Sequence, residues 1–332
     1  MAKRRNAEAA GAAVASTRHE QRRLEMHGFG LSANTAATAV AATAGAVALV
    51  WLRGQQVGCP CGLSWPTEVT PAASGFEYGG GCDFEVVDEM PSQEEFDARF
   101  WNRAPLLVRN GTRDWPARTR WTKEALWRRS QRERHSAGYF RTDDHWASYT
   151  SVGNRSMRAE RGDVDMAEFL CHGVCQPPVQ TDQVYLFDRD DWRTGLPGLD
   201  EDVQFPSTIA RHFDAAWHER WSLYFLISAL GSGINFHQHT NAFNGLLFGR
   251  KRWFLYPDGH APPSFKLGML AWFRDVYRAE WGGSVQWEGT PRRATRGLLQ
   301  CMQAAGDLIY IPQQMWHATI ALGPGVGVSG QV

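Results

Sequence analysis

The second half of the sequence, from Val184 onward, consists of short apolar runs separated by Gly, Pro and Asp. Runs of this length, bounded by turn-forming residues, are typical of β-strands. No helical pattern alternates with them, so an antiparallel sandwich or small barrel is expected and a doubly wound sheet is not. The predicted strands are VYLFD, WSLYFLISAL, NGLLFG, KRWFLYP, DLIYIP, HATIAL and VGVSG.

Helices are predicted ahead of this β-rich half. The segment PSQEEFDARFWNRA contains Ser92 and, three residues later, Glu95, which is the spacing of a capping box. TKEALWRRSQ and DMAEFLCHGV show two further helical patterns. PLLVRNG predicts a strand closed by an Asn-Gly turn, and CDFEVVDEM predicts a short strand where the folded domain begins.

Three segments are predicted in front of a folded domain at 82–332: a basic tail (1–32), a hydrophobic segment (33–52) and a linker (53–81). The hydrophobic segment is uncharged and about as long as a bilayer requires. Because the excess of Lys and Arg precedes it, the tail is expected in the cytosol and the rest in a lumen, as in a type II, single-pass signal anchor. A cleaved signal peptide or an organellar transit peptide is the alternative.

The six cysteines and the charge balance bear on compartment and partners. No Cys-x-x-Cys pair occurs, which disfavours a zinc ribbon or a thioredoxin-type site, and disulfides are expected if the chain enters an oxidising compartment. The sequons at Asn110 and Asn154 agree with a lumenal domain. Lys plus Arg equals Asp plus Glu, at 35 each, so no nucleic-acid partner is expected.

The motif NFHQHT places His237 and His239 two positions apart. Side chains at i and i+2 share one face of a strand, so both rings are expected to reach one metal ion. His317, at the start of the strand predicted after Pro312, is the best third ligand. Three imidazoles with open positions suit zinc, iron or copper, and the ligand type does not choose among them. Two polar residues that face solvent are the alternative.

Lys251 shares a predicted strand face with Trp253 and Leu255. If this face is the core, the buried ammonium needs a counter-charge, which a small dicarboxylate beside the metal would supply. If the opposite face, with Arg252 and Phe254, points inward, Lys251 is solvated. Periodicity leaves both alternatives open.

The ordered motifs resemble the Jumonji C (JmjC) domain of the cupin superfamily: His-x-His, Asn244, GRKRWFLYP and GDLIYIP followed by WHATIAL. FWNRAPLLVRNGTRDWPA is also similar to the opening of that domain, so the resemblance covers about residues 82–331. It implies a mainly β fold, a double-stranded β-helix (jelly roll) with amino-terminal flanking helices. It also implies a dioxygenase that depends on Fe(II) and on 2-oxoglutarate as co-substrate. With its hydrophobic amino-terminal segment, the chain most resembles the small secretory-pathway members, which implies the endoplasmic reticulum.

The resemblance implies roles for individual residues. His237 and His317 match the two metal-binding histidines of the family. Lys251 matches the lysine that pairs with the distal carboxylate of 2-oxoglutarate. Asn244 matches a position that lines the co-substrate pocket, and Tyr224 is a weaker candidate for the same pocket.

Two positions depart from the family pattern. His239 stands where the family usually has Asp or Glu, and Ile234 stands where many members place a hydroxyl beside the co-substrate. Metal binding is still expected. The function implied is hydroxylation of a protein side chain, and the alternative is a catalytically weak or inactive lumenal interaction protein that binds a metal.

Two further expectations concern loops and assembly. The segment 258–283 is predicted to form a lid over the site. The chain ends soon after its last predicted strand, without the carboxy-terminal helices that some relatives use to dimerise, so a monomer that acts on a protein partner is expected.

Overall fold

The computed structural model describes residues 58–66, 76, 81–141, 163–175, 183–189, 191–212, 222–257, 261–262, 264–278 and 297–331. The predicted tail, the hydrophobic segment, most of the predicted linker and the sequon at Asn154 lie outside these residues. Within the described part of the chain, no helix is long and apolar enough to cross a membrane.

Strands dominate the described residues and form two sheets. In chain order the strands are β1 (Val86–Val87), β2 (Leu106–Val108), β3 (Ser136–Arg141), β4 (Asp163–Asp165), β5 (Val184–Arg189), β6 (Ser222–Ser228), β7 (Gly233–His237), β8 (Ala242–Phe248), β9 (Arg250–Tyr256), β10 (Leu299–Ala304), β11 (Leu308–Ile311), β12 (Trp316–Ala321) and β13 (Gly325–Gln331). The larger sheet has the order β1-β2-β11-β8-β13-β6-β5-β3-β4, and the smaller has the order β10-β9-β12-β7.

The eight strands from β6 to β13 form a double-stranded β-helix. Four of them, β11-β8-β13-β6, lie side by side in the larger sheet, and the other four make up the smaller sheet. Their pairings are all antiparallel. The predicted mainly β jelly-roll fold is therefore confirmed, and the space between the two sheets is where inward-facing side chains meet.

Short helices cover the outer face of the larger sheet, as predicted for the amino-terminal flank. Ser92 caps the first of them, because its hydroxyl accepts a hydrogen bond from the Glu95 backbone N–H at 3.2 Å. Phe96 and Leu126 of these helices are buried in one core with Phe225 of β6. The helices of the described residues, in chain order, are α1 (Gln93–Arg99), α2 (Ala117–Arg120), α3 (Lys123–Glu133), α4 (Met166–Glu168, continued by a π-helical turn, Phe169–Gly173), α5 (Asp191–Gly195), a 3-10 turn at Asp200–Asp202, α6 (Ser207–Ala210) and, on the smaller sheet, α7 (Met269–Trp272, continued by a π-helical turn, Phe273–Tyr277).

The predicted lid is wrong for the described residues 264–278. Helix α7 packs against the outer face of the smaller sheet, where the Trp272 ring lies 4.7 Å from Phe236 and 5.4 Å from Phe254. Its apolar side chains are therefore buried against the back of the sheet, which leaves the segment no exposed apolar face to close over a site.

All six cysteines are paired in disulfides, which agrees with the expectation for an oxidising compartment. Two bridges fasten the segment at 58–66 to the end of the π-helical turn after α4, and one joins the start of the domain to β10. In the chain-entropy description, the first bridge to close a loop longer than 100 residues contributes roughly 4–5 kcal/mol by restricting the unfolded chain, and a second bridge across nearly the same loop adds less. The pairs are Cys59–Cys171, Cys61–Cys175 and Cys82–Cys301.

Gly233→Ala is expected to destabilise the fold by about 3 kcal/mol, the upper range for overpacking. A Cβ at Gly233 would lie 1.8 Å from the Thr319 carbonyl oxygen, so β7 and β12 would have to separate. Chemical denaturation would measure the change. Gly58→Ala is the control, because a Cβ there meets no atom within 4 Å. Equal stability of the two variants would contradict the close approach of these strands.

Candidate metal centre

A β-bulge between β7 and β12 directs His237 into the space between the sheets. His317 pairs with His237 and Thr319 pairs with Ile234, so three steps along β7 oppose two along β12. Regular alternation would place Ile234 and His237 on opposite faces, but both line the same cavity. The extra residue re-aims the histidine, which is a known use of bulges.

His239 lies beyond the end of β7, in the loop that leads to β8. The prediction that both histidines share one regular strand is therefore wrong for His239. The loop nevertheless brings its ring to within 5.2 Å of His237 and 4.6 Å of His317, and the latter two rings are 4.2 Å apart, centroid to centroid. One nitrogen from each ring lies within 4.8 Å of the others, so the three could hold one metal ion.

Backbone carbonyls fix the orientation of all three rings. A carbonyl oxygen only accepts hydrogen bonds, so the Nδ1 that contacts it carries the proton and donates. Each Nε2 is then left with a lone pair, which is the form that binds a metal. The accepting oxygens belong to Asn235, Thr240 and Met315, at 2.7, 2.6 and 2.8 Å from His237, His239 and His317 respectively.

Burial, which is partial for His237 and His239 and nearly complete for His317, favours the neutral form of the three imidazoles. It lowers the pKa of His237 to about 4 and that of His239 to about 3, with a smaller contribution to the latter from His237. Burial, with its two neighbours, also holds the pKa of His317 well below its ordinary value. Protons therefore do not compete with a metal for these nitrogens near neutral pH.

The histidines open into a cavity between the two sheets, with walls that are mostly apolar. Polar groups enter it at a few points, as is usual for a small-molecule site. The apolar lining includes Phe187, Leu226, Ile234, Phe243, Trp253 and Ile311, and the polar lining includes Tyr185, Asn244, Lys251, Thr319, Ser329 and Gln331.

Lys251 points into this cavity and is 2% exposed. Its Nζ donates to the Tyr185 hydroxyl at 2.9 Å, and no carboxylate of a described residue forms an ion pair with it. Burial lowers its pKa to about 7. Arg252, on the opposite face of β9, is also buried, under α7, so neither face of this strand is solvated.

Asn244 presents a second unused polar group to the cavity. Its Oδ1 is buried and has no hydrogen-bond partner among the described residues. Its backbone is held, since the Gln303 amide donates to the Asn244 carbonyl at 2.8 Å and accepts from the Trp253 indole at 2.8 Å. The buried Lys251 ammonium fits an anionic ligand, and the Asn244 Oδ1, which only accepts, needs a hydrogen-bond donor such as a hydroxyl group or a water molecule.

Tyr224 and Tyr185 have different relations to the cavity. Tyr224 packs in one buried cluster with the lining residues Phe187 and Leu226, and its hydroxyl donates to Gln331, which lines the cavity, at 3.2 Å. Tyr185, which sequence reasoning missed, contacts Lys251 directly. Alternation in VYLFD places Tyr185 and Phe187 on one face, but nothing in the sequence says which face of β5 meets the cavity.

A hydrogen-bond network holds the loop that positions His239. The His239 carbonyl accepts from the Gln314 N–H at 2.8 Å. Two residues further on, the buried Asn241 side chain uses both of its polar atoms. Its Oδ1 accepts from the Tyr310 hydroxyl (2.6 Å) and the Gln313 N–H (3.1 Å), and its Nδ2 donates to Asn102 Oδ1 (2.7 Å).

Asn241→Ala is therefore expected to weaken metal binding about tenfold, the lower range for loss of a supporting contact. The effect should depend on His239, so a double-mutant cycle separates positioning from a general loss of stability. In a His239→Ala background, Asn241→Ala should cause no further loss of affinity for Co(II), measured by calorimetry. A loss of the same size in both backgrounds would contradict the assignment.

One family model and several known proteins are similar in sequence to this chain. The family model described as a cupin-like domain matches residues 92–328. Human JmjC domain-containing protein 8 is 38% identical over 106 residues, which cover 32% of this chain and 36% of that protein. The bifunctional arginine demethylase and lysyl-hydroxylase psr-1 of Caenorhabditis briggsae is 27% identical over 259 residues, covering 72% of this chain and 58% of that protein.

One solved structure with a similar outline is the Escherichia coli ribosomal oxygenase YcfD in complex with cobalt and 2-oxoglutarate. It is 15% identical, with a TM-score of 0.39, over 73% of this chain and 52% of that chain. Among the curated relatives, the match to JmjC domain-containing protein 8 spans about a third of that protein's length.

Proposed function

Since this chain belongs to the family of cupin-like domains, we propose that it is an Fe(II)- and 2-oxoglutarate-dependent dioxygenase that hydroxylates a side chain of a protein substrate. The observation that supports this most is Lys251, a buried ammonium in the histidine-lined cavity with no carboxylate partner among the described residues. A dicarboxylate bound there would supply the missing counter-charge.

The polar side chains of the cavity would bind the metal and the co-substrate. His237, His239 and His317 would hold the iron through Nε2, and their carbonyl partners keep the rings oriented. Lys251 would bind the distal carboxylate, with the Tyr185 hydroxyl as a second donor. When bound, iron supplies the O2 chemistry in which 2-oxoglutarate becomes succinate and CO2 and a substrate C–H is hydroxylated.

The cavity walls exclude water from that chemistry. Phe187, Leu226 and Ile311 are at most 5% exposed and surround the polar groups. In such a low-dielectric space, the attraction between Lys251 and a carboxylate is stronger than at the surface. The protein's own contribution is therefore to bind the co-substrate, orient it and keep the site dry.

The test is turnover of 2-oxoglutarate by the full chain, loaded with Fe(II) under air. Succinate should form in excess of a sample treated with chelator, and Lys251→Met should form none. An iron-loaded protein that produces no succinate would contradict the oxygenase. It would favour the second candidate, a metal-binding interaction protein, for which the specific observation is His239 in place of a carboxylate ligand.

We also propose that the domain resides in the lumen of the secretory pathway, on a membrane anchor formed by the hydrophobic segment at 33–52. The three disulfides support this, because such bonds persist in oxidising compartments. Asn110, the acceptor of a sequon, is exposed in a turn. A glycosidase-sensitive shift in mass that Asn110→Gln reduces would support the location, and cysteines that react with alkylating agents in intact cells would contradict it.

A further inference from the structure

The metal centre differs from the usual facial triad in its charge. Each of the three imidazoles donates its Nδ1 proton to a carbonyl, so a ring that binds a metal through Nε2 is neutral. In a triad of two histidines and one carboxylate, the carboxylate cancels one charge of the metal. With His239 in that place, a bound divalent ion keeps both charges.

The rest of the cavity adds positive charge and no negative charge. Lys251 is cationic when it binds an anion, and the described lining residues include no Asp or Glu. The metal and Lys251 together bring three positive charges, and a 2-oxoglutarate dianion brings two negative ones. One positive charge is left uncompensated in a largely apolar space, where it is poorly screened.

We propose that this pocket selects a substrate side chain that bears a carboxylate, and excludes lysine and arginine. The inference rests on the proposed function, because it assumes that metal and 2-oxoglutarate are bound together. A carboxylate beside the metal would neutralise the remaining charge, whereas an ammonium or guanidinium would add a second one. His239 is the specificity-determining residue in this proposal.

The experiment uses the full chain loaded with Co(II), with and without 2-oxoglutarate. Three probes are titrated: acetate, N-acetyl-aspartate methylamide and methylguanidinium. Binding is followed by calorimetry and by the visible absorption of Co(II). The blocked aspartate should bind at least as tightly as acetate and shift the spectrum, and methylguanidinium should not bind.

Two variants isolate the charge at position 239. His239→Asp restores the negative charge, and His239→Asn has the same shape without it. The Asp variant should bind the two carboxylates at least about tenfold more weakly than the Asn variant, since one unit charge a few ångströms away changes affinity by that much or more. Each variant is loaded with excess Co(II), and its metal content is measured.

Binding of methylguanidinium, binding of acetate alone, or equal carboxylate affinity in the Asp and Asn variants would each overturn the inference. Failure of 2-oxoglutarate to bind would contradict the proposed function instead. The comparison of the Asp and Asn variants reports the effect of the charge at position 239 on carboxylate binding whether or not 2-oxoglutarate binds, so the two failures are distinguishable.

Discussion

His317→Ala is expected to abolish tight metal binding by this protein. His317 is 3% exposed, lies on a central strand of the smaller sheet, and is the ligand whose ring is nearest to both others. Loss of outer contacts alone weakens metal sites by 10–100-fold, so removal of a ligand should cost more than about 100-fold in affinity. Titration with Co(II), followed by calorimetry and by its visible absorption, measures the loss.

Controls separate loss of a ligand from loss of the fold. His172→Ala removes an exposed histidine of the π-helical turn after α4 and should leave the affinity unchanged. His317→Gln keeps most of the buried volume, so it should retain the melting temperature better than His317→Ala while losing the metal equally. If the Ala variant still binds one equivalent of Co(II) tightly, His317 is not a ligand.

Local pattern was enough to predict an antiparallel β fold, because most of its strands have apolar or β-branched residues bounded by turns, and the resemblance to the JmjC domain narrowed that fold to the jelly roll. Strand β10 is an element that local sequence pattern does not predict. Its sequence, LQCMQA, has no β-branched or aromatic residue, so nothing local marks it as a strand. It is a strand because it pairs with β9 along six residues and because Cys301 is bonded to Cys82. Such tertiary causes are invisible in a short window of sequence.

The candidate site, like the fold, was predicted only in part from local sequence. The spacing of His237 and His239 correctly predicted that their rings lie close together, but the assumed cause was wrong. A bulge and a loop, not regular strand alternation, bring them together. The contact between Tyr185 and Lys251 joins residues 66 positions apart and depends on how β5 extends the larger sheet. Hydrophobic alternation could not show which face of β9 points into the cavity, because both faces of this strand are buried.

The Lys251→Met variant is expected to lose 2-oxoglutarate binding while it retains metal binding. Methionine has a similar length and no charge, so the pocket keeps its shape but has no counter-charge for the distal carboxylate. Truncating one partner of a buried charge pair costs about 2–5 kcal/mol, or at least about thirtyfold in affinity. Calorimetry on the Co(II)-loaded protein measures this, with Lys266→Met, an exposed lysine, as the matched control.

The pH dependence of 2-oxoglutarate binding gives an independent check on the same lysine. Burial lowers the pKa of free Lys251 to about 7, so the ammonium is charged below that pH and loses its proton above it. A bound dianion favours the charged form and raises the pKa in the complex. Affinity should therefore be highest below pH 7 and fall up to about tenfold per pH unit above it, until the pKa of the complex is reached. Lys251→Met should bind weakly with a flat profile over the same range, and an affinity that rises with pH in the unmodified protein would show that Lys251 is not the group that binds the co-substrate.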